Sequence, residues 1–268
     1  MGELVFIGLG LNDELGLSLR GQAEATSCTR LFAEFYTSVM PDLNLERLSR
    51  ILGNKQVQVL SRADVEEKAE RMILAKAKVS KVGFLVPGDP MVATTHVDLR
   101  LRAQRAGIET KIIHASSVMS AAAGVTGLQS YKFGRTVTIP VSWQGGFPDS
   151  VLDAIKGNLA SSLHSLVLLE VDAENKRHIT IPQALEQLLD ACRKKSTTAI
   201  SRETLAVGIA RLEAHDMTIK AAPLTELILT DFGKPPYVII FPTHLHFVEK
   251  VALQVFCNAA KELVEGKL

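Results

Sequence analysis

The chain has 268 residues, 47% hydrophobic and 22% charged, with a formal net charge of +1. That composition can build a core without metals or disulfides, and the balanced charge excludes both a broad basic field for nucleic acid and an acidic tail. Three cysteines, Cys28, Cys192 and Cys257, are odd in number, far apart and without a C-x-x-C pair, which excludes a disulfide framework or zinc knuckle and fits a reducing compartment.

The opening "MGELVFIGLG" is broken by glycine too early for a signal peptide. Gly2 invites a myristoylation reading, but Phe6 stands where that signal needs Ser or Thr. No apolar run reaches the roughly 20 residues that cross a bilayer. The expectation is a soluble cytoplasmic protein that uses no membrane.

Along the chain, "LVFI" (4–7) is continuous and apolar, as a strand covered on both faces should be. "VQVL" (57–60) is a second short strand. Asp64 with Glu67 reads as a capping box with Asp64 as the cap, and Val65, Ala69, Met72 and Ile73 follow on one helix face. "VGFLV" (82–86) is a strand, a helix opens around Val97 and Leu101, Gly107 can end it, and "IETKIIH" (108–114) returns to strand. This β-α alternation predicts a mainly parallel sheet.

"ASSVMSAAAGVTG" (115–127) is small, hydroxyl-rich and nearly uncharged. The sequence therefore divides into an N-terminal domain, 1–114, and a C-terminal domain, 115–268. Beyond it, "YKFGRTVTIPVSW" alternates and predicts an antiparallel strand. A helix begins near Asp149 or Ser150, and "SLVLLEV" (165–171) is a strand. Thr180 and Pro182 mark a helix start, followed by the stripe Leu185, Leu188, Leu189 and Cys192. "LAVGIARL" and "YVIIF" are further strands, and a last helix would bury Val248, Ala252, Val255, Ala259 and Leu263. The reading is α/β throughout: two domains, the second with a mixed sheet.

Four stretches bear on chemistry. "GLG" (8–10) follows the first strand as a dinucleotide turn would, but Asp13 stands where the third glycine should be, and Glu34 is the only ribose candidate downstream. A turn that needs positive φ, or backbone lining another cofactor, remain alternatives. No G-x-x-x-x-G-K-[ST] loop and no G-x-S-x-G elbow is present. "HLH" (244–246) could place two imidazoles on one strand face for a metal, though capping and hydrogen-bonding roles are favoured. "LVPGDP" (85–90) ends a buried strand in a loop pre-shaped by Pro87 and Pro90, with a lone carboxylate at Asp89. Asp89 either caps the helix after Thr94 or Thr95, or serves a ligand at the carboxyl end of a parallel sheet.

The G-x-G turn at 8–10 and the G-D-P loop at 88–90 together resemble the tetrapyrrole (precorrin-type) methyltransferases. "VLSRADVEE" (59–67), "GDPMVATTHVDLR" (88–100), "HASSVMSAAAGVTGLQSYKFG" (114–134), "LVLLEVDAE" (166–174) and "DFGKPPYVIIFPTHLHFVE" (231–249) extend the likeness, in order, over most of the chain. They resemble the branch of that superfamily that acts in diphthamide biosynthesis. The resemblance implies two α/β domains with S-adenosylmethionine as methyl donor in the cleft between them, and a homodimer. It implies methylation of the amino group on the 3-amino-3-carboxypropyl-modified histidine of translation elongation factor 2, giving diphthine. Carried over by position, the donor contacts are Leu9, Asp89, Val92, Ser117, Val118, Leu169, Ala221 and His246. "FPTHLH" stands where a glycine-containing turn would be expected.

In-line transfer of methyl from a sulfonium needs positioning more than proton chemistry, so no dedicated catalytic residue and no metal are expected. "VSWQGGFPDS" (141–150) offers Trp143 and Phe147 as anchors for a protein substrate, or as a packed hairpin tip. A small macrocycle as substrate, or cofactor binding without catalysis, are the alternative readings.

Overall fold

A computed structural model describes residues 2–141 and 147–265 of the chain. The chain divides into two compact units. The first runs to Val118 and includes Ala173–Asn175; the second comprises Met119–Asp172 and the chain from Lys176 onward.

The first unit is built on β1 (Glu3–Gly8), α1 (Leu19–Ser27), β2 (Arg30–Glu34), α2 (Leu45–Ile51), β3 (Val57–Leu60), α3 (Arg62–Glu66), α4 (Ala75–Ala77), β4 (Lys81–Val86), α5 (His96–Arg105) and β5 (Glu109–Ile113). The sheet order is β3-β2-β4-β1-β5 and every pairing is parallel. The apolar runs follow from that position, since β1 and β4 are covered on both faces. Val5, Ile7, Leu31 and Leu85 pack with Ala25 of α1 and Leu48 of α2 on one face. Leu4, Phe6, Phe84 and Val86 pack with Val65, Ile73, Leu99 and Ala103 on the other.

Two local expectations are corrected here. The cap of α3 is Ser61, not Asp64. Ser61 Oγ accepts the Asp64 N–H at 3.2 Å, and the Asp64 carboxylate accepts the Ser61 N–H at 3.2 Å. Serine is the residue that needs a partner three positions on, and Asp64 is that partner. Secondly, a π-turn at Glu70–Leu74 joins α3 to α4. Val65, Ala69, Ile73 and Ala77 recur every four residues and are all buried. Four exceeds the 3.6 residues of an α-turn, and the wider π-turn absorbs the excess.

The second unit contains α6 (Val118–Thr126), β6 (Val137–Ile139), α7 (Asp149–Ala160), β7 (Ser165–Leu169), β8 (Val171–Asp172), β9 (Arg177–His178), α8 (Ile181–Lys194), β10 (Leu205–Ala210), β11 (Thr218–Pro223), α9 (Leu224–Leu227), β12 (Tyr237–Phe241), α10 (Phe247–Cys257) and α11 (Lys261–Glu265); α6 begins on the last residue of the first unit. Its main sheet has the order β11-β10-β12-β7-β6. All pairings in that sheet are antiparallel except β6 with β7, which is parallel. The antiparallel reading of the "TVTI" stretch is thus overturned. Alternation reports one covered face and no direction, whereas the connection from β6 to β7 runs through α7, as a parallel pair requires. Thr180 caps α8 in a box with Gln183, and Leu185, Leu188, Leu189 and Cys192 are buried as their spacing predicts.

The last helix departs from expectation. Asn258, left-handed at φ 54°, ends α10, so no single helix runs to Leu263. The buried face takes in Glu249, Ala252, Leu253 and Cys257, while Val248 and Val255 are exposed. All three cysteines are buried. Trp143 lies outside the described residues, and Phe147 packs against the core formed by α7, α8 and the sheet. Among the described residues no helix is long and apolar enough to cross a membrane.

Candidate functional site

The outgoing connections of β1 and β4, neighbours in the first sheet, lead to helices on opposite faces. Adjacent parallel strands with diverging connections open a crevice at their carboxyl ends, where α/β proteins bind ligands. Both glycine loops sit there. They are joined by backbone: Gly10 N–H donates to Gly88 C=O at 3.3 Å, Gly88 N–H to Gly10 C=O at 2.6 Å, and Leu9 N–H to Val86 C=O at 2.8 Å.

The glycines are required by that junction. A Cβ on Gly8 would stand 2.6 Å from Gly88 O and 2.7 Å from Ala115 Cβ, distances no packing tolerates. Gly88 has φ 66°, a conformation that strains any side chain, and a Cβ there would touch Leu11 Cδ2 and Ser116 O at 3.9 Å, an ordinary contact. The loops after β1, β4 and β5 therefore meet at backbone distance.

Asp89 ties the loop after β4 to the loop after β5. It is 6% exposed. Its Oδ1 accepts the Met91 N–H at 2.9 Å; its Oδ2 accepts from His114 Nδ1 at 2.7 Å and from the Ala115 N–H at 3.3 Å. The carboxylate is an acceptor only, so the His114 proton lies on Nδ1. Asp89 does not cap α5: the cap is Thr95, without a side-chain hydrogen bond. Val92 follows in the same loop, its N–H on Asp89 C=O at 3.3 Å. Ser117 is buried, and Val118 is the last residue of the unit. Leu9 is wholly buried among Val5, Ile7 and Leu85, so only its backbone can serve a ligand. The structure thus brings Leu9, Asp89, Val92, Ser117 and Val118 to one end of one sheet. Sequence reasoning missed His114 as the partner of Asp89, because a pairing across 25 residues leaves no local signal.

The nicotinamide alternative loses its support. Asp13 accepts the Leu15 N–H at 2.9 Å and caps the short turn Glu14–Gly16. Glu34 is fully buried, and its carboxylate binds the Tyr36 and Thr37 N–H groups at 3.0 Å each and the Thr37 hydroxyl at 2.5 Å. Burial pushes this carboxyl up to about 7 against those hydrogen bonds. Beside it His96, also buried, holds Pro90 C=O through Nδ1 at 3.2 Å, and burial pulls its pKa down to about 4. Its Nε2 lies 3.7 Å from Glu34 Oε1. His96 and Thr94, whose hydroxyl donates to Pro90 C=O at 3.0 Å, both anchor the G-D-P loop from below.

In the second unit the three remaining candidates are spread out. Leu169 ends β7 and packs into the α7–α8 core. Ala221 lies in β11 opposite Val207, which pairs with Ile240. His246 is the exposed N-cap of α10. Because Ser165 pairs with Phe241, Ala221 and His246 sit toward one end of the sheet. Leu169 sits toward the other, four residues along β7, or roughly 13 Å at strand rise. Ala222 shares the core face with Leu169, so Ala221 points to the opposite face. His244 is in a turn with φ 37°, so His244 and His246 do not share a strand face. Among the described residues, no group of three His, Cys, Asp or Glu side chains is placed to hold a metal.

The family model of the tetrapyrrole (corrin/porphyrin) methylases matches residues 3–207. The chain belongs to that family and is a methyltransferase that takes its methyl group from S-adenosylmethionine. Its relatives narrow the placement. It is 42% identical over 262 residues to the diphthine synthase of Methanothermobacter thermautotrophicus, with 98% of each chain covered. It is 41% identical over 257 residues to that of Methanocaldococcus jannaschii, covering 95% of this chain and 99% of the relative. A crystal structure of diphthine synthase superposes with a TM-score of 0.88 at 35% identity, covering 98% of both chains. Within the methylases the chain therefore groups with the diphthine synthases.

Proposed function

We propose that this methyltransferase acts on the amine of the 3-amino-3-carboxypropyl group carried by the modified histidine of translation elongation factor 2, and so forms diphthine. One observation carries the assignment of the site: the Gly10–Gly88 backbone junction joins the loops after β1 and β4, and Asp89 ties the loop after β5 to the loop after β4, at the crevice of the first sheet. The residues fit the donor. Backbone from three converging loops and the carboxylate of Asp89 suit a ligand read by its ribose, ammonium and carboxylate.

Bound there, S-adenosylmethionine supplies a methyl group on a sulfonium whose leaving thioether is neutral and needs no acid. The work left to the chain is orientation. Leu9 and Val92 offer backbone groups. Asp89, fixed by three N–H donors, presents its carboxylate in one direction before any ligand arrives. Leu169, Ala221 and His246 are the further contacts in this reading, and the first two can act through backbone. The incoming amine must be neutral. Removal from water favours that form, and solvent takes the proton. Holding nitrogen, methyl carbon and sulfur in line at about 3–3.5 Å supplies the main rate term.

The protein works as a cytoplasmic homodimer in this reading. Phe247, Val248, Val251, Val255 and Phe256 form an exposed apolar stripe on α10, larger than an isolated surface helix needs and suited to a second copy. The test of function is direct. Elongation factor 2 carrying the unmethylated aminocarboxypropyl histidine is incubated with the protein and labelled S-adenosylmethionine, then mapped by mass spectrometry. Whole methyl increments on that histidine are expected. Methylation of a corrinoid precursor instead, or donor binding without transfer, would overturn the assignment.

A further inference from the structure

Glu249 is the third residue of α10, fully buried, and plays no part in the reading above. Its Oε1 accepts from His164 Nε2 at 2.9 Å and from the Gln129 N–H at 3.0 Å. Its Oε2 accepts the His246 N–H at 2.8 Å and a hydrogen bond from Lys132 Nζ. Lys132 Nζ also donates to His244 C=O at 2.9 Å. His164, itself fully buried, accepts the Thr243 N–H on Nδ1 at 3.0 Å, so its proton sits on Nε2 and faces Glu249. Burial by itself would raise the Glu249 carboxyl; Lys132, Gln129, His164 and His246 outweigh it and hold the group near 2.

The hub grips one short turn at three points: the Thr243 N–H, the His244 carbonyl and the His246 N–H. That turn is unusual in one respect. His244 adopts φ 37°, a left-handed conformation in which a β-carbon is strained. Such a residue persists only where its surroundings fix it. Charge-assisted hydrogen bonds from a buried ion pair are strong enough to do so.

We propose that Glu249, with His164 and Lys132, is a positioning group for the methyl donor: it holds Thr243–His246 in the strained turn and thereby sets where His246 stands. The inference rests on His246 being a donor contact, as proposed above, and its test separates the two ideas.

Binding of S-adenosylhomocysteine, the unreactive demethylated donor, is measured by titration calorimetry for the wild type, Glu249→Gln, His246→Ala and the double variant Glu249→Gln/His244→Gly. Methyl-transfer kinetics are followed alongside. His246→Ala is expected to weaken binding. Glu249→Gln is expected to weaken it about tenfold, the equivalent of 1.4 kcal/mol, with donor KM rising more than kcat falls. Glycine at position 244 adopts positive φ without help, so the double variant should regain most of the lost affinity. A purely structural carboxylate would lower the melting temperature and leave affinity alone, and that result overturns the proposal. So does failure of the glycine to rescue. Unchanged binding by His246→Ala would overturn the contact and the positioning role together. Weakened binding there, with normal binding in Glu249→Gln, would remove the positioning role alone. If Glu249→Gln does not fold, Lys132→Met removes the clamp on His244 C=O at a side chain that is 18% exposed, and the same loss and glycine rescue are expected.

Discussion

At the scale of single residues, the site depends on a carboxylate that is already committed to the protein. Asp89 has three donors before any ligand binds, and these fix both its oxygens. Replacing it by alanine removes the common partner of the loops after β4 and β5, and leaves the partly buried Met91 N–H without its acceptor. Asp89→Ala is expected to weaken S-adenosylmethionine binding by about 1.5–3 kcal/mol, the range for hydrogen bonds to a charged group. Asp89→Asn is expected to be weakened as well. An amide has one accepting oxygen, and its NH2 must then face either the Met91 N–H or the His114 and Ala115 donors. Calorimetry giving wild-type affinity for both variants would show that the clamp is irrelevant to the donor.

At the scale of elements, α10 does two jobs with two faces. Its inner face carries Glu249 and Leu253; its outer face carries an apolar stripe in which Val251 is 54% and Val255 65% exposed. If that stripe is the contact between two copies, a charge in its middle cannot be buried without large cost. Val251→Glu is expected to sediment as a monomer where the wild type sediments as a dimer, with an unchanged circular dichroism spectrum. A monomeric wild type, or a dimeric variant, would place the interface elsewhere. This helix also shows where sequence reading stops. Strands β1, β4, β10 and β12 were legible because continuous apolar runs have one explanation, burial on both faces. The start of α8 was legible because Thr180 and Pro182 are local signals of a helix N-terminus. The inward face of α10 was not, since the stripe through Val248 and Val255 is as apolar as the face that is buried. The direction of β6 was hidden for a similar reason: alternation is the same for either direction. β11 carried no apolar run long enough to announce it. In the candidate site, the glycine loops and Asp89 stood out in the sequence, though composition left Asp89 open between a cap and a ligand group, while the pairing of His114 with Asp89 and that of His164 and Lys132 with Glu249 join residues too far apart in sequence to leave a local signal.

At the scale of the whole molecule, the titratable groups that folding shifts in both units weaken the fold as acid is added, with one exception. In the first unit, burial lowers the pKa of His96 to about 4, so its contribution is complete above the ordinary imidazole value near 6.5 and is lost as pH falls toward 4. Hydrogen bonds from Lys111 and Lys81 hold Glu24 at about 2. In the second unit, burial lowers His164, and the hub holds Glu249 at about 2. Both acids contribute fully above about 4.5 and fade toward 2. Every one of these groups favours the folded state less as acid is added. Glu34 is the exception. Burial raises it to about 7, so the folded chain keeps a proton that the unfolded chain has released. Its contribution is complete below about 4.5 and is lost as pH rises to 7. Glutamine can replace the protonated form atom for atom, with its oxygen on the Tyr36 and Thr37 N–H groups and its NH2 on the Thr37 hydroxyl. Glu34→Gln should therefore match the wild type in urea midpoint at about pH 5 and exceed it at about pH 7.5, because only the wild type bears the cost of ionising a buried carboxyl. A difference between the two proteins that stays constant over that interval would mean that Glu34 is ionised in the folded chain throughout, and that its three hydrogen bonds outweigh its burial.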